Sequence, residues 1–281
     1  MREIACAEIS QTVARLCQEA NYYLGEDVVT ALRLGLAAEE SPLGREVLKQ
    51  LLDNAEIAGS EQVPLCQDTG LTVLFLDLGQ DIHIVDGDLG EALAEGVRRG
   101  YGEGYLRKSL VWPPIFGRKN TQDNTPPVVH TEVVPGDRLT ITVLPKGAGS
   151  ENMSRLFMLT PSDGVAGVKR AVLKAVDEAG PNPCPPIIVG VGIGGTAEHV
   201  GYLAKRALLR EIGRPSADPR LAELEAELLA EIRDLGIGPA GFGGRMTALA
   251  VHVEMAPCHI ASLPVGVNIQ CHSARHKTAV L

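Results

Sequence analysis

Three cysteines carry the first chemical signal. Cys66, Cys184 and Cys271 each stand beside proline, glycine or polar residues at an element boundary, where side chains from distant segments can converge. Cys184 is bracketed by Pro183 and Pro185, whose rings restrict the backbone and would hold a ligand rigid. Taken singly, each is more often a buried structural thiol; as a set of three, with no CxxC in the chain, a metal or cluster site weighs evenly against that reading. Three ligands rather than four has a chemical meaning. A four-iron cluster held by three thiolates leaves one iron open to act as a Lewis acid toward a substrate hydroxyl and carboxylate. The lack of a ferredoxin-type CxxCxxC run favours catalysis over electron relay.

Asp68, two residues beyond Cys66, would point near the same metal and could accept a proton from carbon or orient water. From the pattern alone a turn former is the commoner reading, with Gly70 supplying the bend. Arg107, after a helix and before a proline-rich loop, is a candidate carboxylate clamp because its planar fork binds both oxygens. An exposed helix-end arginine is the plain alternative. Cys258-His259, Cys271-His272 and His276 combine zinc-type ligands, at a spacing that fits no regular zinc module. Gly190, Gly192 and Gly195 match G-x-G-x-x-G between a strand and a helix, the dinucleotide fingerprint, which makes a nicotinamide-dependent dehydrogenase the rival reading. Against it, Glu211 closes a helix where an acidic strand end is needed, and no βαβ repeat is visible after the glycines. His83, His130 and His252 read as structural.

The elements that must position these residues follow from periodicity. Residues 3–20 carry an apolar helical stripe that takes in Cys6 and Cys17 as small core residues. Helices are expected over about 26–40 and 42–58, the latter started by Ser41-Pro42. A buried strand at 71–78, a helix at about 88–104, and a hairpin of 128–134 with 138–144 around Pro135-Gly136 come next. A glycine-bearing loop at 146–152 precedes helices at about 164–179, 196–210 and 219–235 and strands at 187–191, 247–255 and 263–270. The interleaving predicts an α/β fold with a mixed sheet, surrounding helices and an N-terminal helical segment.

Composition narrows the classes. The net charge is −9 with no long basic run, which argues against a nucleic-acid surface. No segment approaches the ~20 apolar residues of a membrane span. The N-terminus lacks a signal-peptide core, and six cysteines in so large a chain need no disulfide framework, so the expected location is the cytoplasm.

The segments together resemble the class I, oxygen-sensitive fumarate hydratases and their relatives the L-tartrate dehydratases. The resemblance rests on PLCQDTG (64–70), EGVRRGYGEGYLRKS (95–109), DNTPPVVHTEVVPGD (123–137), GSENMS (149–154), GPNPCPPIIVGVGIGGTAE (180–198), GFGGRMTALAV (241–251) and CHIASLPVGVNIQCHSARH (258–276), in order along the chain. It implies a [4Fe–4S] cluster on Cys66, Cys184 and Cys271. It also implies that Gln67, Arg107 and the backbone around Gly149 hold a small dicarboxylate, that Asp68 serves proton transfer, and that His259 lies beside the substrate. Cys258 stands where relatives are expected to carry threonine and is read as no ligand. The chain ends ten residues after Cys271, which resembles the α subunit of a split form. A separate β subunit, in a dimer of αβ units, is then expected to complete the site. Within a single domain, 1–281, the helical part would cover about 1–60 and the cluster-binding α/β part about 61–281. Fumarate is the expected substrate, with L-tartrate the alternative.

Overall fold

The computed structural model describes residues 2–281, which divide into two compact units: 2–24, 55–148 and 275–281 in the first, 25–54 and 149–274 in the second.

In the first unit, β1 (Arg2–Ala5) leads into α1 (Cys6–Tyr22). In the second, α2 (Glu26–Ala38) follows; α3 (Pro42–Glu61) returns the chain to the first. There, β2 (Leu71–Gly79), β3 (Ile82–Val85), α4 (Leu89–Glu103), the short β4 (Val111–Trp112) and β5 (Lys119–Asn120), β6 (Val128–Val134) and β7 (Leu139–Lys146) complete the run. The core packs Ile9, Val13, Leu16 and Cys17 of α1 and Leu93, Val97 and Tyr101 of α4 against Leu74, Leu76, Ile141 and Val143 of the sheet. The expected stripe on α1 is real: the helix buries its Ile9, Val13 and Leu16 face.

Residues 128–144 do not form the expected hairpin. Strand order in this sheet is β12-β7-β2-β6, where β12 is Lys277–Val280; β2 lies between the two strands, parallel to β6 and antiparallel to β7. The cause is the burial of β2. Val73, Leu74, Phe75 and Leu76 are all buried, and such a strand needs both of its edges hydrogen-bonded. The Pro-Gly turn therefore bonds outward: Gly79 N–H donates to Arg138 O at 3.0 Å and Asp81 N–H to Gly136 O at 3.0 Å. β6, exposed on alternate residues, suits the sheet edge.

α5 (Ala148–Glu151, a single turn where a loop was expected) starts on the last residue of the 55–148 segment; the second unit then holds β8 (Arg155–Leu159), α6 (Gly164–Ala179), β9 (Ile187–Gly195), α7 (Ala197–Ala207), α8 (Pro219–Asp234), β10 (Ala248–Cys258) and β11 (Leu263–Gln270). Its sheet runs β10-β9-β11-β8, with β10 parallel and β11 antiparallel to β9. A parallel crossover therefore does follow the glycines, by way of α7 and α8. Alternation along β9 decides what each face accepts. Ile187, Val189, Val191 and Ile193 pack with Val172, Val176, Leu228 and Ile232 of α6 and α8. The other face offers Gly190 and Gly192, where an added Cβ would come within 2.1 Å of Ala204 O and 2.3 Å of Val200 O. Only glycine lets α7 lie that close to the strand.

Glu39, just past α2, is 3% exposed, and its carboxylate accepts N–H bonds from Glu40, Ser41, Arg245 and Met246 at 2.8–3.2 Å. Burial pushes its pKa up, but the four donors outweigh that and hold it below the usual carboxylate value.

Candidate active site

Within the first unit the segment Leu65–Gly70 forms a loop held from beneath. Leu65 N–H donates to Asn21 O at 2.9 Å. The three carbonyls that follow Gln67 each accept from a buried side chain: Asp68 O from Arg275 at 2.6 Å, Thr69 O from the Tyr101 hydroxyl at 2.7 Å, and Gly70 O from Asn124 Nδ2 at 3.2 Å. Gly70 has φ +78°, and a Cβ there would lie 2.7 Å from Lys146 N, so the loop enters β2 pressed against the end of β7. With those carbonyls committed, the loop's remaining groups bond largely within the loop itself. Asp68 N–H donates to Cys66 Sγ at 3.4 Å, while the thiol contacts Gln67 Oε1 at 3.2 Å.

The Asp68 carboxylate accepts Gly70 N–H on Oδ1 at 3.0 Å and Ala148 N–H on Oδ2 at 2.8 Å. The turn-forming reading of Asp68 is thus realised in the geometry, and each oxygen keeps a lone pair for a proton. Thr69 Oγ1 donates to Arg107 O at 2.8 Å, tying the arginine's backbone to this loop. The Arg107 guanidinium is exposed and makes no ion pair among the described residues. Cys66, Gln67, Asp68 and Arg107 are therefore brought to one neighbourhood.

In the second unit Cys184 adopts φ +57°, a left-handed conformation that costs a non-glycine residue roughly 1 kcal/mol or more. Its N–H donates to Pro181 O at 3.1 Å, and His272, by its backbone N–H at 3.4 Å and its Nδ1 at 2.9 Å, meets Cys184 O. The bonds from His272 bring the loop before β9 beside the segment after β11, so Cys184 and Cys271 lie at the same end of the sheet. Gly149 is close as well: a Cβ there would be 3.4 Å from Asn182 O.

His259 is not with them. Cys258 is level with Gly195 on β9, and Gln270 is level with Ile188. Seven residues of strand separate these positions, roughly 23 Å at about 3.3 Å per residue. His259 lies at the far end of the sheet, its Nδ1 accepting Ala261 N–H at 3.1 Å, beside an apolar cavity of about 430 Å³ lined by Val165, Leu221, Leu224, Met255 and Ile260 among others. The same separation removes the zinc grouping, since Cys258-His259 and Cys271-His272 are at opposite ends of one sheet. Cys258 Sγ contacts Ser262 O at 3.2 Å. The dinucleotide reading fails on geometry too, because Gly190 and Gly192 lie inside β9, covered by α7, and not in a phosphate-binding turn.

The six cysteines sort by environment. Cys6 and Cys17 are buried in the first core, and burial pushes the Cys17 thiol up to about 12 against an opposing Thr72 hydrogen bond, so it stays protonated. Cys66, Cys184 and Cys271 are outside the cores and in no disulfide. Among the described residues, no three His, Cys, Asp or Glu side chains are gathered as for a single bound ion. The donors fit a soft iron–sulfur group by chemistry: thiols outside any disulfide, one of them already accepting a backbone N–H as cluster-bound sulfurs do.

Reading residue types alone missed the layer beneath the loop: Asn21, Tyr101, Asn124 and Arg275. The only signal was polar character in buried segments, for Asn21 at the end of the α1 stripe and Tyr101 on the inner face of α4; Asn124 and Arg275 gave none.

An α/β chain with loop thiols, a fixed carboxylate and an uncommitted guanidinium has the equipment of a lyase acting on small acids. The family model described as "Fumarate hydratase (Fumerase)" matches residues 10–280. A "Putative L(+)-tartrate dehydratase subunit alpha" of Methanocaldococcus jannaschii is 47% identical over 274 residues, covering 95% of each chain. An L(+)-tartrate dehydratase subunit alpha of Escherichia coli K12 is 32% identical over 284 residues, covering 100% of this chain and 93% of the relative. The chain belongs to the fumarate hydratase (Fumerase) family and is a hydro-lyase component.

Proposed function

We propose that this chain is the α subunit of an iron–sulfur hydro-lyase that interconverts malate and fumarate with a separate β subunit. Family membership and the three loop thiols support the reading, and the names of relatives matched over nearly their whole length, which specify a subunit alpha, support the partner. Cys66, Cys184 and Cys271 would hold a [4Fe–4S] cluster. When bound, such a cluster supplies a Lewis-acidic iron that polarises a substrate hydroxyl.

The protein groups have distinct tasks. Arg107 and Gln67, exposed beside the loop, bind and orient the dicarboxylate, with the backbone near Gly149 as a further contact. Asp68 holds or accepts the proton of the reacting carbon on the free lone pair of a carboxylate oxygen, its orientation fixed by the Gly70 and Ala148 N–H groups. His259 serves this site from a second α chain, because its own lies at the other end of the sheet; this geometry is our reason for a dimer of αβ units. L-Tartrate is the second reading, favoured by the names of the relatives.

The test is a Cys66→Ser αβ complex reconstituted without oxygen. Loss of the broad visible cluster band and a fall in activity of about 10³-fold or more is expected; full retention of both overturns the assignment. Steady-state kcat/KM for malate against L-tartrate on the wild-type complex decides the substrate.

A further inference from the structure

Arg275 is 2% exposed, the largest fully buried side chain among the described residues. Nη1 donates to Asn21 Oδ1 at 3.2 Å, Nη2 donates to Asp68 O at 2.6 Å, and Nε has no partner. Both acceptors are neutral, and no carboxylate pairs with the guanidinium among the described residues. A buried, permanently charged group without a direct ion pair is costly to desolvate. The Asn21 side chain is itself held, its Nδ2 donating to Cys17 O at 2.9 Å, so the clamp is anchored in α1. Nη2 and Asp68 Oδ2 both lie within 4 Å of the point where a Cβ on Gly147 would sit, which puts the cation next to the carboxylate end of the loop as well as its backbone.

We propose that Arg275 is a positioning residue of the hydro-lyase site. Its guanidinium, clamped between Asn21 Oδ1 and Asp68 O, sets the loop that carries Cys66, Gln67 and Asp68 and lays a fixed positive charge beneath their anionic face. The charge half of this inference rests on the function proposed above; the loop-holding half does not. Lysine at 275 would keep the charge but could reach only one of the two acceptors, whereas glutamine would lose the charge and most of the reach.

The experiment uses the full αβ complex with Arg275→Gln and Arg275→Lys, in cluster-loaded and metal-free forms. Amide exchange over residues 66–70 is expected to quicken about 10-fold or more in R275Q, with peptides from α1 and β7 unchanged. In the loaded complex kcat should fall about 100-fold with KM within about 3-fold, as for misplaced reacting groups. R275K should recover about a tenth of the wild-type kcat and show intermediate exchange over the loop. Wild-type exchange of residues 66–70 in both variants overturns the proposal, as does a rise spread evenly over the whole unit. Should R275Q fail to fold, unchanged loop exchange and kcat in R275K overturn it alone. A wild-type complex with no cluster and no lyase activity sinks the function instead, and the exchange measurement still decides the hold on the loop.

Discussion

Glu39 illustrates how one side chain can tie distant segments and make stability depend on pH. Its folded-state pKa is lowered, so its contribution is fully present above the unfolded value near 4.3 and is lost as pH falls through the folded value. Glu39→Gln can replace some of the four N–H bonds but not the charge. It should cost about 2 kcal/mol at pH 7, by urea unfolding, and flatten the decline in stability seen on acidification. An equal loss at pH 7 and at pH 3 would show that the carboxylate charge is irrelevant. The same scale explains the thiols: Cys17 is kept protonated by burial, while Cys66 has its sulfur turned toward a backbone donor.

At the level of elements, β9 and α7 form the most demanding contact in the second unit. Gly192→Ala would place a methyl 2.3 Å from Val200 O and force α7 away from the strand. A loss of about 1–3 kcal/mol in denaturant unfolding is expected, with no change in NADH binding because there is none to lose. Saturable NADH quenching abolished by the substitution would revive the dinucleotide reading. The lost hairpin is the companion lesson. Val128–Val134 and Leu139–Lys146 have the right lengths and the right turn, yet β2 inserts between them because a strand buried throughout needs partners on both edges.

For the whole molecule, the separation of His259 from Cys184 and Cys271 has a direct consequence for assembly. Cys184→Ser and His259→Asn complexes should each be nearly inactive. If His259 works on a neighbouring chain's site, dissociating and re-mixing the two in equal amounts yields half mixed dimers, each with one intact site in two. Activity should then recover to roughly a quarter of wild type. No recovery after verified subunit exchange would overturn the action of His259 on a neighbouring chain's site.

Much was legible from the chain alone, for reasons of short range. Apolar spacing fixed most helices, the α/β class and the buried run of β2, and the quoted motifs led to the family now shown. Loop thiols were separable from core thiols because Cys6 and Cys17 sit on a helical stripe and the others on breakers. What the spacing could not carry were facts about pairing order and depth. Strand neighbours depend on which edges remain unsatisfied after collapse, so the hairpin was misread. Gly190 and Gly192 look alike in a phosphate loop and under a packed helix, and only α7 tells them apart. His259 stands twelve residues before Cys271 in sequence, but β11 is an extended strand and carries the two to opposite ends of a sheet. Arg275 gave no sign of burial, because a lone arginine in the segment between β11 and β12 acquires its partners, Asn21 and Asp68, only when remote segments fold together.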